Sequence, residues 1–298
     1  MTEKFKSGFI AVVGRTNVGK STLLNQLLGR KVSIISEKVQ TTRNKITCIL
    51  TKENCQIVFL DTPGIHKPKH MLGERLVQVA LGSLNEVDAV LLLVEANHSP
   101  GPGDNYLIKR LTNISAKVAL VINKIDLIKR EELLPLMEEY GRLYPFADII
   151  PVSAQTGENV SRLLEIITSY LPEGPQYYPD DMHTDRTEDF IVAEMIREKV
   201  LSQTDQEVPH AVAVVIEEMT EQDNQVLMIR AMIYTEKETQ KGILIGKGGQ
   251  MLKKIGTMAR TDIEKLLGTK VFLELRVKTR QDWRNKKGQL RNLGYYER

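Results

Sequence analysis

Eight residues carry the first chemical signal. Gly14 to Ser21 read GRTNVGKS: a glycine, four residues, then Gly-Lys-Ser. Glycines at both ends let the backbone curl around an anion, with the loop amides turned inward toward phosphate oxygens. The stretch follows the apolar run FIAVVG and opens the amphipathic run KSTLLNQLLG, so it joins a strand to a helix whose N-terminus adds the positive end of a dipole. Gly14, Arg15, Thr16, Asn17, Val18, Gly19, Lys20, Ser21 and Thr22 therefore read as a nucleotide-binding loop. Lys20 would reach the β- and γ-phosphates and the Ser21 hydroxyl a magnesium ion.

Further motifs follow in order. DTPGIH, Asp61 to His66, closes the apolar run CQIVFLD. Asp61 is placed to hold the magnesium through water, and the Gly64 amide to meet the γ-phosphate, with Thr62 and Pro63 between them. Between the loop and this motif, EKVQTTRNKI sets Thr41 and Thr42 where a switch segment puts a threonine on magnesium and γ-phosphate; Thr42 is the favoured one. NKID, Asn123 to Asp126, ends another apolar run. The Asp126 carboxylate can accept hydrogen bonds from N1–H and the 2-amino group of guanine. Adenine offers neither in that pattern and would leave the acid unpaired, which is costly. Asn123 would tie the loops together and Lys124 lie along the base. SAQTG, Ser153 to Gly157, follows the next strand, and its Ala154 amide is available to the guanine carbonyl. The set predicts GTP and GDP as ligands, with Ser21, Thr42 and Asp61 as the magnesium residues. One position breaks the pattern of Ras-like enzymes, where a glutamine after the glycine orients the attacking water. Here it is Ile65, which has no hydrogen-bonding group.

A second glycine loop is a different device. GILIGKGG has three residues between Gly242 and Gly246 where a nucleotide loop needs four, and Gly248 stands where a hydroxyl must bind magnesium. It reads instead as GxxG, Gly246-Lys247-Gly248-Gly249, between two helices, the backbone clamp by which KH domains hold single-stranded RNA. Lys247, Lys253 and Lys254 add charge, and the apolar ILI before and MLKKI after are expected to line a groove for unstacked bases. Trp283 is open to two readings, packing or stacking on a base.

The elements that must position these residues alternate. From Phe9 to Leu171, short apolar strands are separated by amphipathic helices, which predicts a mostly parallel sheet covered on both faces. KITCIL and CQIVFLD are joined only by TKEN, too short for a helical crossover, so they are expected to form an antiparallel edge. PEGPQYYPDDMHTD has no period and reads as a linker. After it comes a smaller α/β unit in the order α-β-β-α-α-β, with EQDN as the turn of its hairpin. The expected organisation is a nucleotide-binding α/β domain over 1–172, a linker over 173–186 and an RNA-binding α/β domain over 187–298 with a basic C-terminal tail.

Bulk properties narrow the class. The chain has 298 residues, 42% hydrophobic and 27% charged, an ordinary globular mixture. A net charge of +3 says little, but KVFLELRVKTRQDWRNKKGQLRNLGYYER concentrates lysine and arginine, a surface fit for phosphates or an anionic membrane. Cys48 and Cys55 lack CxxC spacing and read as two half-buried thiols of a reducing cytosol. His66 to His70, HKPKH, sits in a loop without an acidic or cysteine partner, which argues against a metal. No apolar run reaches the roughly 18 residues of a membrane span, and MTEKFKSGF lacks the core of a signal peptide.

Taken together, the nucleotide loop, TTR, DTPG, NKID, SAQ and the C-terminal GxxG unit resemble the Era family of bacterial GTPases over nearly the whole chain. The resemblance implies a P-loop GTPase domain followed by a type II KH domain. It also implies a slow GTPase that binds the 3′ end of 16S ribosomal RNA and assists small ribosomal subunit maturation. The same resemblance implies a cytoplasmic monomer that associates peripherally with the inner membrane. Relatives with NxGKS use potassium, which would make Asn17 part of a K⁺ site between the phosphates. Asn17 would then join Lys20, Thr42, Asp61 and Gly64 in the catalytic set; its other reading is a loop-capping side chain.

Overall fold

The computed structural model describes residues 4–35, 38, 41–65, 67–68, 70–85, 87–222 and 225–296. They divide, in the main between Asp185 and Arg186, into two compact units. The first unit contains β1 (Lys6–Gly14), α1 (Lys20–Leu28), β2 (Ile46–Lys52), β3 (Cys55–Asp61), α2 (Met71–Gly82), β4 (Ala89–Glu95), α3 (Pro102–Leu111), β5 (Lys117–Asn123), α4 (Arg130–Leu143), β6 (Asp148–Pro151) and α5 (Val160–Tyr170). Among the described residues its sheet has six strands in the order β2-β3-β1-β4-β5-β6. β1 pairs in parallel with β3 on one side and β4 on the other, so the chain order reverses at β1. Open α/β sheets bind ligands at that switch point, beyond the carboxyl ends of the strands. The nucleotide loop leaves β1 there.

The strand sequences are near-continuous apolar runs because helices cover both faces. Val90, Leu92 and Val94 of β4 and Val118, Leu120 and Ile122 of β5 bury in one cluster with Leu107, Ile108 and Leu111 of α3 and Tyr140 of α4. β2 runs antiparallel to β3, from Ile46 opposite Asp61 to Lys52 opposite Cys55, as the short link demands. Cys48 and Cys55 are both buried rather than half-buried. Burial raises the Cys48 thiol far above its ordinary range, so it is an inert core group.

The expected linker has no helix of its own, yet it is tied down. Pro172 and Pro175 carbonyls accept hydrogen bonds from the Ser7 amide (3.1 Å) and hydroxyl (2.6 Å). The Tyr177 ring packs on Phe9 with centroids 5.1 Å apart. Gln56, fully buried, holds the turn after it: its Oε1 accepts from the Tyr177 and Tyr178 amides at 2.8 and 2.9 Å. Its Nε2 donates to the Tyr178 carbonyl at 2.8 Å and to Thr51 Oγ1 at 2.9 Å. Farther on, the Ile49 amide donates to the His183 carbonyl (2.9 Å), and the Thr47 hydroxyl donates to Asp185 (2.8 Å). β2 is an edge strand with unpaired backbone groups, and this segment occupies part of that edge.

The second unit contains α6 (Glu188–Gln203), β7 (Ala213–Glu221), β8 (Val226–Thr235), α7 (Glu238–Ile245), α8 (Gln250–Leu267), β9 (Lys270–Thr279) and α9 (Lys287–Asn292). Its three described strands lie in the order β7-β8-β9, the first pair antiparallel and the second parallel. Ile229, Ala231 and Ile233 alternate along β8 and bury against Val192, Ile196 and Val200 of α6 and Ile255, Ala259 and Ile263 of α8. Of the expected EQDN turn, Asp223 and Asn224 lie outside the described residues.

The basic C-terminal stretch is not a loose tail. Its first third is β9, and several of its cations are committed inside the unit. Arg276 pairs with Glu274 at 2.7 Å, Arg280 donates to Tyr234 Oη at 3.0 Å and lies over that ring, and Arg284 pairs with Glu236. Trp283 settles its two readings in favour of packing. It is fully buried, donates from Nε1 to the Ala211 carbonyl at 3.0 Å and stacks on Tyr295.

Replacing Gln56 tests the anchoring of the 172–185 segment. Gln56→Ala removes three hydrogen bonds to the part-buried backbone of Tyr177 and Tyr178, and is expected to cost about 1–3 kcal/mol of stability in the first unit. Proteolysis within residues 175–185, followed by mass spectrometry, should accelerate in the variant. An unchanged cleavage rate would show that the segment is held by other contacts.

Candidate nucleotide site and RNA groove

The nucleotide loop is shaped by close approaches. A Cβ on Gly14 would lie 2.5 Å from the Leu93 carbonyl, and one on Gly19, at φ +95°, would lie 2.2 Å from Asn123 Nδ2. Only glycine fits either place. α1 begins directly after Gly19 with no side-chain cap and no acidic residue in its first turn, so its amides and dipole end are open to an anion. Lys20 is buried, and its Nζ donates to the carbonyls of Arg15 (2.8 Å) and Gly14 (3.3 Å). Burial pushes its ammonium down to about 8, with the Asp61 carboxylate opposing the shift.

Asp61, Ser21 and Thr42 converge as expected. Ser21 Oγ lies 3.0 Å from Asp61 Oδ2 and 3.1 Å from Thr42 Oγ1, and Thr42 Oγ1 lies 3.4 Å from the same carboxylate oxygen. The other oxygen, Asp61 Oδ1, is buried and has no hydrogen-bond partner among the described residues. Burial raises the Asp61 pKa, against the pull of Lys20. Two hydroxyl oxygens gathered at an undersatisfied buried carboxylate fit a magnesium ion. Glu37, Val39 and Gln40 of the switch stretch lie outside the described residues, as do His66 of DTPGIH and both His66 and Lys69 of HKPKH.

Gly64 sits tightly over the loop, where a Cβ would meet Thr16 Cα at 2.7 Å. The Ile65 amide donates to the Gly14 carbonyl at 3.1 Å, and the Ile65 side chain is buried in the core with α3. Its side chain serves as an anchor and points into the protein. Thr62, expected at the nucleotide, is fully buried and donates its hydroxyl to the Val12 carbonyl at 2.7 Å, a latch between β3 and β1. Pro63 is buried beside it. Arg15 also departs from expectation: its guanidinium turns to Asp104 of α3 at 3.2 Å, which leaves only its backbone to the loop.

Asn123 ties the loops as predicted, donating to the Val18 carbonyl at 2.8 Å and accepting from the Ala154 amide at 2.9 Å. That amide is thereby part of the lock between the two loops. Lys124, at φ 68°, donates to the Asn17 carbonyl at 2.8 Å and pairs with Glu95 at the end of β4. Ser153 is buried and caps the Thr156 amide at 3.1 Å, so it shapes the loop from within. The Asp126 carboxylate stands exposed beyond this framework, and Asn17 and Thr16 lie at the loop surface. Glu95 and Asp104 were not found from sequence. An acid closing a buried strand, and one three residues into a helix after SPGPG, were the available signals.

In the second unit, Gly246, Gly248 and Gly249 all have positive φ, at 72°, 60° and 78°. A Cβ on Gly246 would strike Met251 at 2.7 Å, whereas Gly248 and Gly249 face open space. Lys247 and Gly248 are exposed between α7 and α8. Beside this turn lies a groove of about 390 Å³ lined by Gly249, Leu252, Lys253, Gly256, Thr257 and Arg260 and by Phe272, Leu273 and Leu275. Its walls are α8 and β9, not the ILI segment. Leu244 is buried in the core, and so is Ile255 of MLKKI. Lys253 lines the groove, while Lys254 is exposed outside its lining. Positions 249, 252, 253, 256, 257 and 260 form one helical face, the signal that finds Gly256 and Arg260.

The depressed Lys20 ammonium makes nucleotide binding proton-linked. At pH 8 about half of the ligand-free protein carries a neutral Lys20, and the phosphates draw the charged form. Calorimetry of GDP binding in buffers of different ionisation heat should show net proton uptake at pH 8 that is smaller at pH 6.5, where Lys20 is already charged. Equal uptake at both pH values would contradict this.

Residues 9–124 match the family model described as 50S ribosome-binding GTPase, and residues 207–284 match the KH domain model. Among solved structures, an alanine variant of Era from Aquifex aeolicus bound to GDP and aluminium fluoride is 42% identical to this chain. That alignment covers 98% of this chain and 100% of that one, with a TM-score of 0.94. A structure of Era with MgGDPNP and nucleotides 1506–1542 of 16S ribosomal RNA is likewise 42% identical, with the same coverage and a TM-score of 0.95. Identity at that level along the whole length, with both domain models matched in order, places the chain in the Era family of GTPases.

Proposed function

We propose that this chain is a GTP-hydrolysing switch that binds the 3′ end of 16S ribosomal RNA through its second unit and assists assembly of the small ribosomal subunit. The observation that carries this reading is the presence, in one chain, of a phosphate loop with a magnesium-type oxygen set and of a GxxG turn beside a groove. The relative aligned over 98% of the chain holds MgGDPNP and 16S ribosomal RNA together.

In this mechanism the loop amides, the N-terminus of α1 and Lys20 take the phosphates, and Asp126 selects guanine. Ser21, Thr42 and Asp61 would hold magnesium, which would neutralise charge on the β- and γ-phosphates. The Ile65 side chain contributes no polar atom, so the water is oriented by switch backbone or by the γ-phosphate itself. Asn17, at φ 67° on the exposed crest of the loop, suits a potassium ligand there, and the cation would supply charge where an arginine finger otherwise would. Turnover in K⁺ should exceed that in Na⁺ by about tenfold, ~1.4 kcal/mol. Asn17→Ala should erase the difference; equal rates in both salts refute the potassium site.

The RNA site should be chemically separate from the nucleotide site. Lys247→Asp with Gly248→Asp puts two acids where RNA phosphates would approach the backbone, and should nearly abolish binding of a single-stranded RNA from the 16S 3′ end. GTP turnover without RNA should match the parent. Retained RNA affinity in the double variant would overturn the assignment of the groove.

A further inference from the structure

We propose that Arg15 and Asp104 form a strut between the nucleotide loop and α3, with Arg15 acting as a positioning residue for hydrolysis. The inference rests on the hydrolytic reading above and deepens it.

Four observations converge on α3. Arg15 Nη1 lies 3.2 Å from Asp104 Oδ2, and the Asp104 side chain is only 3% exposed. The same oxygen accepts the Gly101 amide at 2.9 Å, so it is fixed by the helix start it caps. The stem of Arg15 lies against the bare backbone of Gly103, where a Cβ would be 3.1 Å from Arg15 Cδ. Finally, Ile65 buries its side chain in the cluster that contains Leu107, Ile108 and Leu111 of α3.

These anchors meet at the reacting centre from two sides. The Arg15 carbonyl accepts Lys20 Nζ at 2.8 Å. The backbone of Arg15 pairs with Ile65 in an isolated parallel bridge, next to Gly64. The lysine that meets the phosphates and the glycine amide that meets the γ-phosphate are thus both referenced to one helix, through an ion pair at its start and an apolar side chain along its body. Ile65 cannot orient a water through its side chain, so the reaction depends on where its backbone is held. Small misplacements of reacting groups cost large factors in rate while leaving ground-state binding intact.

The experiment compares the full-length parent with Arg15→Ala, Arg15→Lys and Asp104→Asn, the last of which keeps a cap for Gly101. In Arg15→Ala, kcat for GTP should fall by about tenfold or more, with GDP affinity within about threefold of the parent. Arg15→Lys should recover part of the rate. Combining Arg15→Ala with Asp104→Asn should be no worse than the stronger single change, because the two act as one unit. Amide exchange at residue 62 and residues 64–66 should rise in Arg15→Ala and in Asp104→Asn, a readout that does not need turnover. A parent without GTPase activity would sink the hydrolytic reading while exchange still reports on the strut. Unchanged exchange in Arg15→Ala, additive rate effects, or parallel loss of GDP affinity and kcat would overturn the strut.

Discussion

Two opposite charges buried at the carboxyl end of one parallel sheet govern the first unit. Lys20 and Asp61 are each removed from water, and each is displaced toward its neutral form by that burial and drawn back by the other. Neither would be tolerated alone in such a place. The surroundings supply what each lacks. Loop carbonyls receive the ammonium, and Ser21 and Thr42 gather on one carboxylate oxygen. The resulting centre is only partly satisfied, and a triphosphate with magnesium provides the complement in charge and coordination. The sheet order follows from this need: β1 and β3 must be neighbours for the loop lysine and the strand-ending aspartate to face one another.

The two glycine loops show how the same residue types give different chemistry through backbone geometry. In the first, close approach of backbone decides the shape, with Gly14 under Leu93 and the loop's Thr16 beneath Gly64 of the DTPG stretch. In the second, Gly248 and Gly249 open to space, and positive φ at three glycines turns the chain sharply between two helices. One loop encloses an anion and the other leaves its backbone accessible to a polymer.

Much of this was legible in the sequence because the motifs are local. The four nucleotide motifs follow β1, β3, β5 and β6, where position in the chain limits which residues can reach a ligand, and the short TKEN link dictates the antiparallel edge. What escaped were contacts between residues far apart in sequence, whose meeting depends on register. Gln56 sits in the apolar strand β3 and gives no sign that it clamps Tyr177 and Tyr178. Asp104 and Glu95 look like ordinary surface acids until the sheet brings Arg15 and Lys124 to them. The DTPG and SAQ motifs do not show that the Thr62 hydroxyl donates to the Val12 carbonyl or that the Ala154 amide donates to Asn123. The basic C-terminal stretch suggested a tail because charge density is visible in sequence, whereas its pairing with Glu236, Glu274 and Tyr234 is not.

A switch requires that the nucleotide change the affinity for RNA, and linkage requires that the RNA change the affinity for nucleotide by the same factor. The direct measurement is the Kd of a single-stranded RNA from the 3′ end of 16S ribosomal RNA, titrated at fixed salt against the protein saturated with GDP and then with a non-hydrolysable GTP analogue. The account predicts unequal affinities, and the ratio of analogue to GDP affinity should change on adding RNA by that same factor. Identical RNA affinities in the two nucleotide states would contradict it and reduce the nucleotide to a structural ligand.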